Sequence, residues 1–166
     1  MSPTHRSCLI GVLLSLSGCA GAKADPASGA NAISGSIQGT SWSKLSRAYW
    51  LGKPSRGSSP FILFLFDSPV ECAALVNPNW DKTLSADTQS LEIDLLDSEV
   101  RVHDVGNDVA VAYLKGFYNP DADAGSVTLD AVNDAQNIAG NFDLTFGADA
   151  LNGKFDALYC AEGVEP

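Results

Sequence analysis

The amino-acid sequence predicts an all-β domain, an antiparallel sandwich or small barrel of about eight to nine strands with one disulfide. Three observations lead to this prediction. Apolar residues recur at every second position from Ile33 onward, turn-forming residues interrupt them at short intervals, and two cysteines remain for the folded body of an exported chain. Of 166 residues, 45% are hydrophobic and 18% are charged, which is typical of a globular domain.

The candidate strands follow from this alternation. They span residues 33–40, 44–52, 60–66, 91–96, 99–104, 109–118, 125–132, 137–146 and 151–160. The apolar run at 61–66 is uninterrupted, which fits a strand buried on both faces. Residues 69–75 are predicted to form one helical turn that carries Cys72.

The last two candidate strands are predicted to form a hairpin with a four-residue turn after Phe146. In that register one face is apolar, and on the other face Asp143 lies opposite Lys154 as an opposite-charge pair. Gly140 and Gly153 face apolar partners, so large side chains are expected to lie over their backbone.

The charge balance argues against a nucleic-acid partner. The chain holds 20 acidic and 10 basic residues, for a net charge of −10, whereas binding a phosphate backbone needs a basic face. Four basic residues nevertheless cluster at Lys44, Arg47, Lys53 and Arg56. They indicate either a solvated loop beside an acidic surface or a docking patch for an anionic partner.

The first 18 residues have the pattern of a secretory signal peptide. A short polar start with Arg6 precedes an apolar run, and small residues follow. The run is shorter than the roughly 20 apolar residues that span a bilayer, so no transmembrane helix is predicted. Residues 19–32 are small and polar and are expected to form a flexible tether, which leaves 33–166 as the β-rich globular domain.

The signal peptide ends in Leu16, Ser17, Gly18 and Cys19, which resembles the lipobox of bacterial lipoproteins. The resemblance implies cleavage before Cys19 and a covalent lipid on its sulfur, which would anchor the chain in a membrane. Because Ala20 rather than aspartate follows, it further implies the outer membrane. The alternative is ordinary secretion, with cleavage after Ala24.

Two cysteines remain in the mature body, Cys72 and Cys160, and thiols in an oxidising compartment usually pair. A metal or redox pair is the alternative, but the chain has no Cys-x-x-Cys motif. The tail at 125–129, 140–146 and 151–160 is similar to the closing strands of small β-rich bacterial lipoproteins of uncharacterised function. That similarity implies a glycine-rich meander whose last cysteine pairs with an earlier one, and it supplies no catalytic residues.

Candidate metal-binding and catalytic residues are few. His103 is the single histidine after the signal peptide, so a two-histidine metal site is excluded, and its place in a short strand predicts a surface residue. The segment 119–125 has part of a calcium-loop pattern but lacks the closing glutamate. It indicates a hairpin turn, with a weak Ca²⁺ site at Asp121 and Asp123 as the alternative.

Two groups of side chains could carry function. Glu92 and Asp94 alternate with apolar residues and should share one strand face, either as a solvated face or as the carboxylate pair of a glycoside hydrolase. Four aromatic residues could form a binding surface for a sugar or a peptide, or could pack in the core. They are Trp42, Tyr49, Trp50 and Trp80.

The sequence therefore predicts a lipid-anchored lipoprotein of the cell envelope, a non-catalytic binding or structural module. Its expected partners are the membrane, through the lipid on Cys19, and an envelope protein or polysaccharide; no cofactor is expected beyond that lipid. One alternative is a lipocalin-like carrier of a small apolar ligand, and another is a carboxylate-dependent glycoside hydrolase. The carrier would have an open interior lined by Trp50, Phe61, Phe64, Phe66 and Tyr113.

Overall fold

A computed structural model describes residues 31–52, 61–75, 77, 79–116, 119–133 and 136–160. The predicted signal peptide, Cys19 and most of the predicted tether lie outside these residues. Within the described ranges, no helix has both the length and the apolar character needed to cross a bilayer.

The described residues form ten strands and two short helices, which confirms the all-β prediction. In chain order these elements are β1 (Ala32–Ile37), β2 (Thr40–Trp42), β3 (Arg47–Gly52), β4 (Phe61–Phe66), α1 (Cys72–Leu75), α2 (Trp80–Thr83), β5 (Ser90–Leu95), β6 (Val102–Asp104), β7 (Val109–Leu114), β8 (Ala124–Asn133), β9 (Asn137–Phe146) and β10 (Asp149–Tyr159).

Eight of these strands follow one another around a barrel in the order β6-β8-β9-β10-β3-β4-β5-β7. The last strand, β7, reaches back to the residues that precede β8. Ala112 bridges Asp121 there, and the amide of Ala122 donates to the carbonyl of Val111 at 2.8 Å. The sheet is thus nearly closed, which selects the barrel from the two predicted architectures.

Two apolar clusters lie on opposite sides of this sheet. The interior cluster takes the inward side chains of all the long strands, including Leu63, Leu91 and Phe155. The outer cluster lies on β3 and β4 under α1 and α2, and includes Phe64 and Phe66. The apolar run of β4 is therefore buried on both faces, as predicted, because successive side chains of a strand point to opposite faces.

Several predicted strand boundaries are wrong. The predicted strand 33–40 is divided by a tight hairpin, because Gln38 and Gly39 both adopt positive φ and reverse the chain between β1 and β2. The strands predicted at 44–52 and 99–104 begin later, at Arg47 and Val102. The helical turn at Cys72 is confirmed, whereas α2 was not predicted.

The predicted register of the last hairpin is wrong by two residues. Phe146 faces Asp149 rather than Leu151, because the turn has only two residues and Gly147 takes the positive φ that such turns require at their first position. Consequently Asp143 faces Asn152, and the predicted charge pair with Lys154 does not form. A shift of two leaves every side chain on its predicted face, so hydrophobic alternation could not detect it.

The two glycines of this hairpin accept aromatic rings, as predicted. Gly140 lies opposite Phe155, and Gly153 lies opposite Phe142. A Cβ on Gly140 would lie 2.8 Å from the Phe155 ring, and a Cβ on Gly153 would lie 2.6 Å from the Phe142 ring. The two rings stack with centroids 6.5 Å apart, so the backbone of each strand forms part of the interior wall.

The segment between β4 and β5 is held against the barrel at two places. The predicted disulfide is present and joins Cys72 in α1 to Cys160, across 88 residues with Cα atoms 5.6 Å apart. At the other end, the Gln89 amide and side chain donate to the Asp67 carboxylate, and the Tyr113 hydroxyl donates to Gln89 Oε1 at 2.9 Å. These contacts fix α1 and α2 over the outer face of β4.

Gly153→Ala should destabilise the barrel by about 1 to 3 kcal/mol, because the added methyl group overlaps the Phe142 ring and the Ala32 carbonyl. Urea unfolding followed by circular dichroism measures the change. Lys154→Ala is the matched control: this exposed neighbour has no charge pair with Asp143, so its loss should change stability by less than about 0.5 kcal/mol. Equal losses in the two variants would contradict the packing role of Gly153.

Removing the disulfide by Cys72→Ala with Cys160→Ala should lower the free energy of unfolding by about 2 to 5 kcal/mol. The unfolded chain then regains the freedom of an 88-residue loop. Urea unfolding with and without a reductant tests this expectation. The reductant should destabilise the native chain and leave the double variant unchanged; the same response in both would contradict it.

Candidate functional site

Most of the predicted aromatic surface is buried. Trp42 and Trp50 belong to the interior cluster, and Tyr49 belongs to the outer cluster. Two of them form hydrogen bonds inside the fold: the Trp42 indole donates to the Lys44 carbonyl at 2.8 Å, and the Tyr49 hydroxyl donates to a backbone carbonyl at 2.9 Å. The prediction of a shared binding surface is therefore wrong for these three residues, and Trp80 alone of the four stays partly exposed.

Trp80 covers the outer face of β4. It begins α2, and its ring meets Phe64 edge-on at 4.9 Å and Phe66 at 6.0 Å between ring centroids. This helix has one turn and no side-chain cap, so the disulfide and the Gln89 contacts, rather than helix propensity, hold it in place. Trp80 remains partly exposed.

The predicted carboxylate pair lies next to this aromatic cluster. Glu92 and Asp94 project from the outer face of β5, as the alternation predicts. In the sheet register Glu92 stands between Phe64 of β4 and Ala112 of β7, and Asp94 is flanked in the same way by Ile62 and an alanine. Both carboxylates are half-buried, so the predicted fully solvated face is not formed.

Burial determines the electrostatics of this pair. Desolvation, followed by the carboxylates of Asp94 and Asp81, raises the pKa of Glu92 from 4.5 to about 7. Desolvation also raises the pKa of Asp94. Among the described residues, no hydrogen bond or salt bridge reaches either carboxylate. Glu92 therefore changes charge near neutral pH, with no cation of the described chain beside it.

Ser90 is the third member of this row and was not singled out in the sequence. It precedes Glu92 by two positions and so projects from the same face, between Phe66 and Leu114. Its side chain is completely buried, and no described residue forms a hydrogen bond with its hydroxyl. No sequence pattern marks it, because its burial arises from the register of β4, β5 and β7.

The predicted surface position of His103 is wrong, since its ring is completely buried. Pairing with Val127 of β8 points it inward, and its neighbour Val102 is left 53% exposed instead. Nε2 lies 3.0 Å from the Glu99 carbonyl, and Nδ1 has no partner. The ring is on β6, and the carboxylates are on β5. In one direction around the barrel, five strands lie between β6 and β5, namely β8, β9, β10, β3 and β4.

A second group of charges is compensated internally. Arg101 contacts Asp97 at 2.8 Å, Asp108 at 2.9 Å and Glu99 at 3.5 Å. A hydrogen bond from the Glu99 amide lowers the pKa of Asp97, and the hydrogen bond from Arg101 lowers that of Asp108. This network ties the loop before β6 to the start of β7, which is a structural role.

The acidic turn before β8 also has a structural use. Asp123 accepts a hydrogen bond from the Gly147 amide and so braces the β9–β10 turn, while Asp121 forms the bridge to Ala112. In the described part of the chain, no three histidine, cysteine or acidic side chains gather around a possible metal position. Ca²⁺ binding at Asp121 and Asp123 stays a prediction.

An open cleft of about 470 Å³ lies within the segment between β4 and β5, which covers the outer face of β4. It runs between residues 68–74 and 83–88, with Val70 and Leu84 as apolar lining and Glu71 and Asp87 as its charges. No sequence pattern marks this cleft. Of the clustered basic residues predicted as a docking patch, Lys53 and Arg56 lie outside the described residues.

The barrel interior differs from the one expected for a carrier. Phe64 and Phe66 face outward under Trp80, so they do not line the interior. Tyr113 does point inward, where it contacts Trp42 at 6.1 Å and Phe146 at 6.5 Å between ring centroids. These rings contact one another inside the barrel.

In comparisons with known proteins, no family model, curated protein or solved structure matches this chain. The similarity of its tail to small bacterial lipoproteins therefore stays a prediction. The residues themselves identify the outer face of β5, with Ser90, Glu92, Asp94 and the adjacent Trp80, as the candidate functional site.

The free energy of unfolding should fall as the pH rises from about 5 to 8, because Glu92 holds its proton more tightly in the folded chain than in the unfolded chain. This stabilisation is complete below about pH 4.5 and is lost through pH 7. Glu92→Gln should therefore exceed the native chain in stability by about 1 to 3 kcal/mol at pH 8 but not at pH 4.5. Urea unfolding at both pH values measures this. A constant difference would show that Glu92 titrates normally.

Proposed function

We propose that this chain is a lipid-anchored module of the bacterial cell envelope that binds a partner and performs no catalysis. The disulfide between Cys72 and Cys160 carries the proposal. Such bonds persist in oxidising compartments outside the cytosol, which agrees with the signal-peptide pattern of residues 1–18. With these two cysteines bonded to each other, Cys19 is left as the single thiol of the mature chain, at the position where a lipobox requires one.

The non-catalytic part of the proposal is supported by the chemistry of the candidate site. Burial raises the pKa of Glu92 to about 7 and also raises the pKa of Asp94, and the charge of Asp94 adds to the shift of Glu92. Among the described residues, no hydrogen bond reaches either carboxyl group, so none orients it for proton transfer to a substrate. Ser90 lies beside them on the outer face, but the described histidine, His103, points into the barrel, so within the described chain no histidine is placed to activate the serine hydroxyl.

The carrier alternative has one supporting observation, the nearly closed barrel. Its support is weaker, because the inward rings of Trp42, Tyr113 and Phe146 already contact one another. A carrier would need an interior cavity of about 300 Å³ or more for a drug-sized ligand, and contacts among these rings reduce the space available for one. We therefore place the binding function on the outside of the barrel.

Acylation of Cys19 is the testable core of this proposal. Intact-mass and peptide mass spectrometry of the chain purified from bacterial membranes should find it beginning at Cys19 with acyl chains attached, because a thioether can form only on a thiol. Cys19→Ala should lose the acyl mass and leave the membrane fraction, since the anchor supplies about 0.8 kcal/mol per buried CH₂ group.

The matched control is a chain in which Ser17, two residues before Cys19, is changed to Ala; it keeps a small residue there and should still be acylated. A native chain that begins at Asp25 without modification would contradict the anchor and favour ordinary secretion. Free Cys72 and Cys160 in the native protein would contradict export itself.

A further inference from the structure

The outer surface of the barrel has three kinds of region. The outer face of β3 and β4 is covered by α1 and α2. The outer faces of β8, β9 and β10 carry short polar side chains that satisfy one another, as Asn141 does with Asp130 and Asn137 with Asp156. The outer face of β5 belongs to neither class, because its carboxylates are half-buried and no residue of the described chain pairs with them.

Among the half-buried carboxylates of the described chain, the missing partner is specific to this face. The others accept hydrogen bonds from neighbouring side chains: Asp67 from Gln89, Asp97 and Asp108 from Arg101, Asp149 from Ser36, and Asp156 from Asn137. Glu92 and Asp94 have neither a cation nor a hydrogen-bond donor within the described chain. Burial of an uncompensated charge is costly, so two such groups side by side indicate a place where a positive group arrives from outside.

Ser90 is an independent indication of the same kind. It lies at one end of the row that Glu92 and Asp94 continue, it is completely buried, and its hydroxyl is unpartnered. Buried hydroxyl groups normally have a partner, and leaving one unpaired costs about 1 to 3 kcal/mol. Three polar side chains with no partners thus project from one face of β5.

The surroundings select the kind of cation. On the β4 side, the rings of Phe64 and Trp80 border the row, and aromatic faces attract organic cations. On the β7 side, Ala110 and Ala112 leave the row open. Ca²⁺ and Mg²⁺ take six or more oxygen ligands, so beside these apolar walls water would have to supply most of them, whereas an ammonium group on an apolar stem fits two carboxylates, a hydroxyl and an aromatic wall.

We infer that the outer face of β5 binds an organic ammonium group through Glu92 and Asp94, with the stem of that group against Trp80. A free amine and the side chain of a lysine in a partner polypeptide both supply this chemistry. The net charge of −10 favours the approach of either cation. The inference concerns the folded domain and does not depend on the lipid anchor.

The test is a pH titration of the purified full chain, with the side-chain carboxyl groups of glutamate and aspartate followed by carbon NMR. The probes are n-butylammonium chloride, sodium chloride at equal ionic strength, and magnesium chloride. Bound ammonium stabilises the ionised carboxylates, so butylammonium should lower the apparent pKa of Glu92 by about one unit relative to sodium, a tenfold change in proton affinity.

Variants connect the effect to the site. Glu92→Gln and Asp94→Asn should each weaken butylammonium binding by about tenfold, while Trp80→Phe should retain most of it because the aromatic wall is kept. Asp143→Asn is the matched control, an exposed carboxylate on the polar face of β9 that should leave binding unchanged. Preserved amide chemical shifts in each variant confirm that the barrel is folded.

The two sources of ammonium are separated by an acetylated Gly-Lys-Gly amide used as a second probe. Binding more than tenfold tighter than butylammonium supports a lysine of a partner polypeptide, and equal binding supports a free amine. Equal pKa values in butylammonium and sodium would overturn the inference, as would a response to magnesium alone. A chain that binds the amine but carries no lipid on Cys19 would contradict only the proposed anchor.

Discussion

The structure depends on the backbone hydrogen bonds of β10, the longest strand. Along one side it pairs with β9 over its whole length, and along the other it pairs first with β1 and then, in parallel, with β3. Two parts of the sheet are therefore joined through this one strand: the β1–β2 hairpin and the antiparallel strands β3, β4 and β5. Gly153 makes this possible, because β1 and the Phe142 ring approach its backbone where a side chain would stand.

The same strand places the candidate site. Its end at Cys160 carries the disulfide to α1, and that bond holds the covering segment across the outer face of β3 and β4. Trp80 can then contact Phe64 and Phe66, and the neighbouring row of β5 becomes half-buried rather than solvated. The altered pKa of Glu92 thus originates in long-range pairing and not in its sequence neighbours.

The pKa values of two acidic clusters in this chain are shifted in opposite directions, because only one of the clusters has an arginine beside it. Arg101 compensates the carboxylates around it, and their pKa values are lowered by donated hydrogen bonds. Glu92 and Asp94 face apolar rings and alanines, and their pKa values are raised by desolvation. Composition alone, which is uniformly acidic over most of the body, could not distinguish a structural cluster from a candidate binding site.

The sequence by itself determined the class of fold, the approximate extent of the long strands, the face on which Glu92 and Asp94 lie, and the pairing of Cys72 with Cys160. These are consequences of a period-two pattern and of thiol chemistry, both of which are local. The tertiary structure decided the hairpin register, the inward position of His103, the burial of the aromatic residues and the unpartnered Ser90. Each of these depends on which strands become neighbours, and alternation specifies a face without specifying the element that covers it.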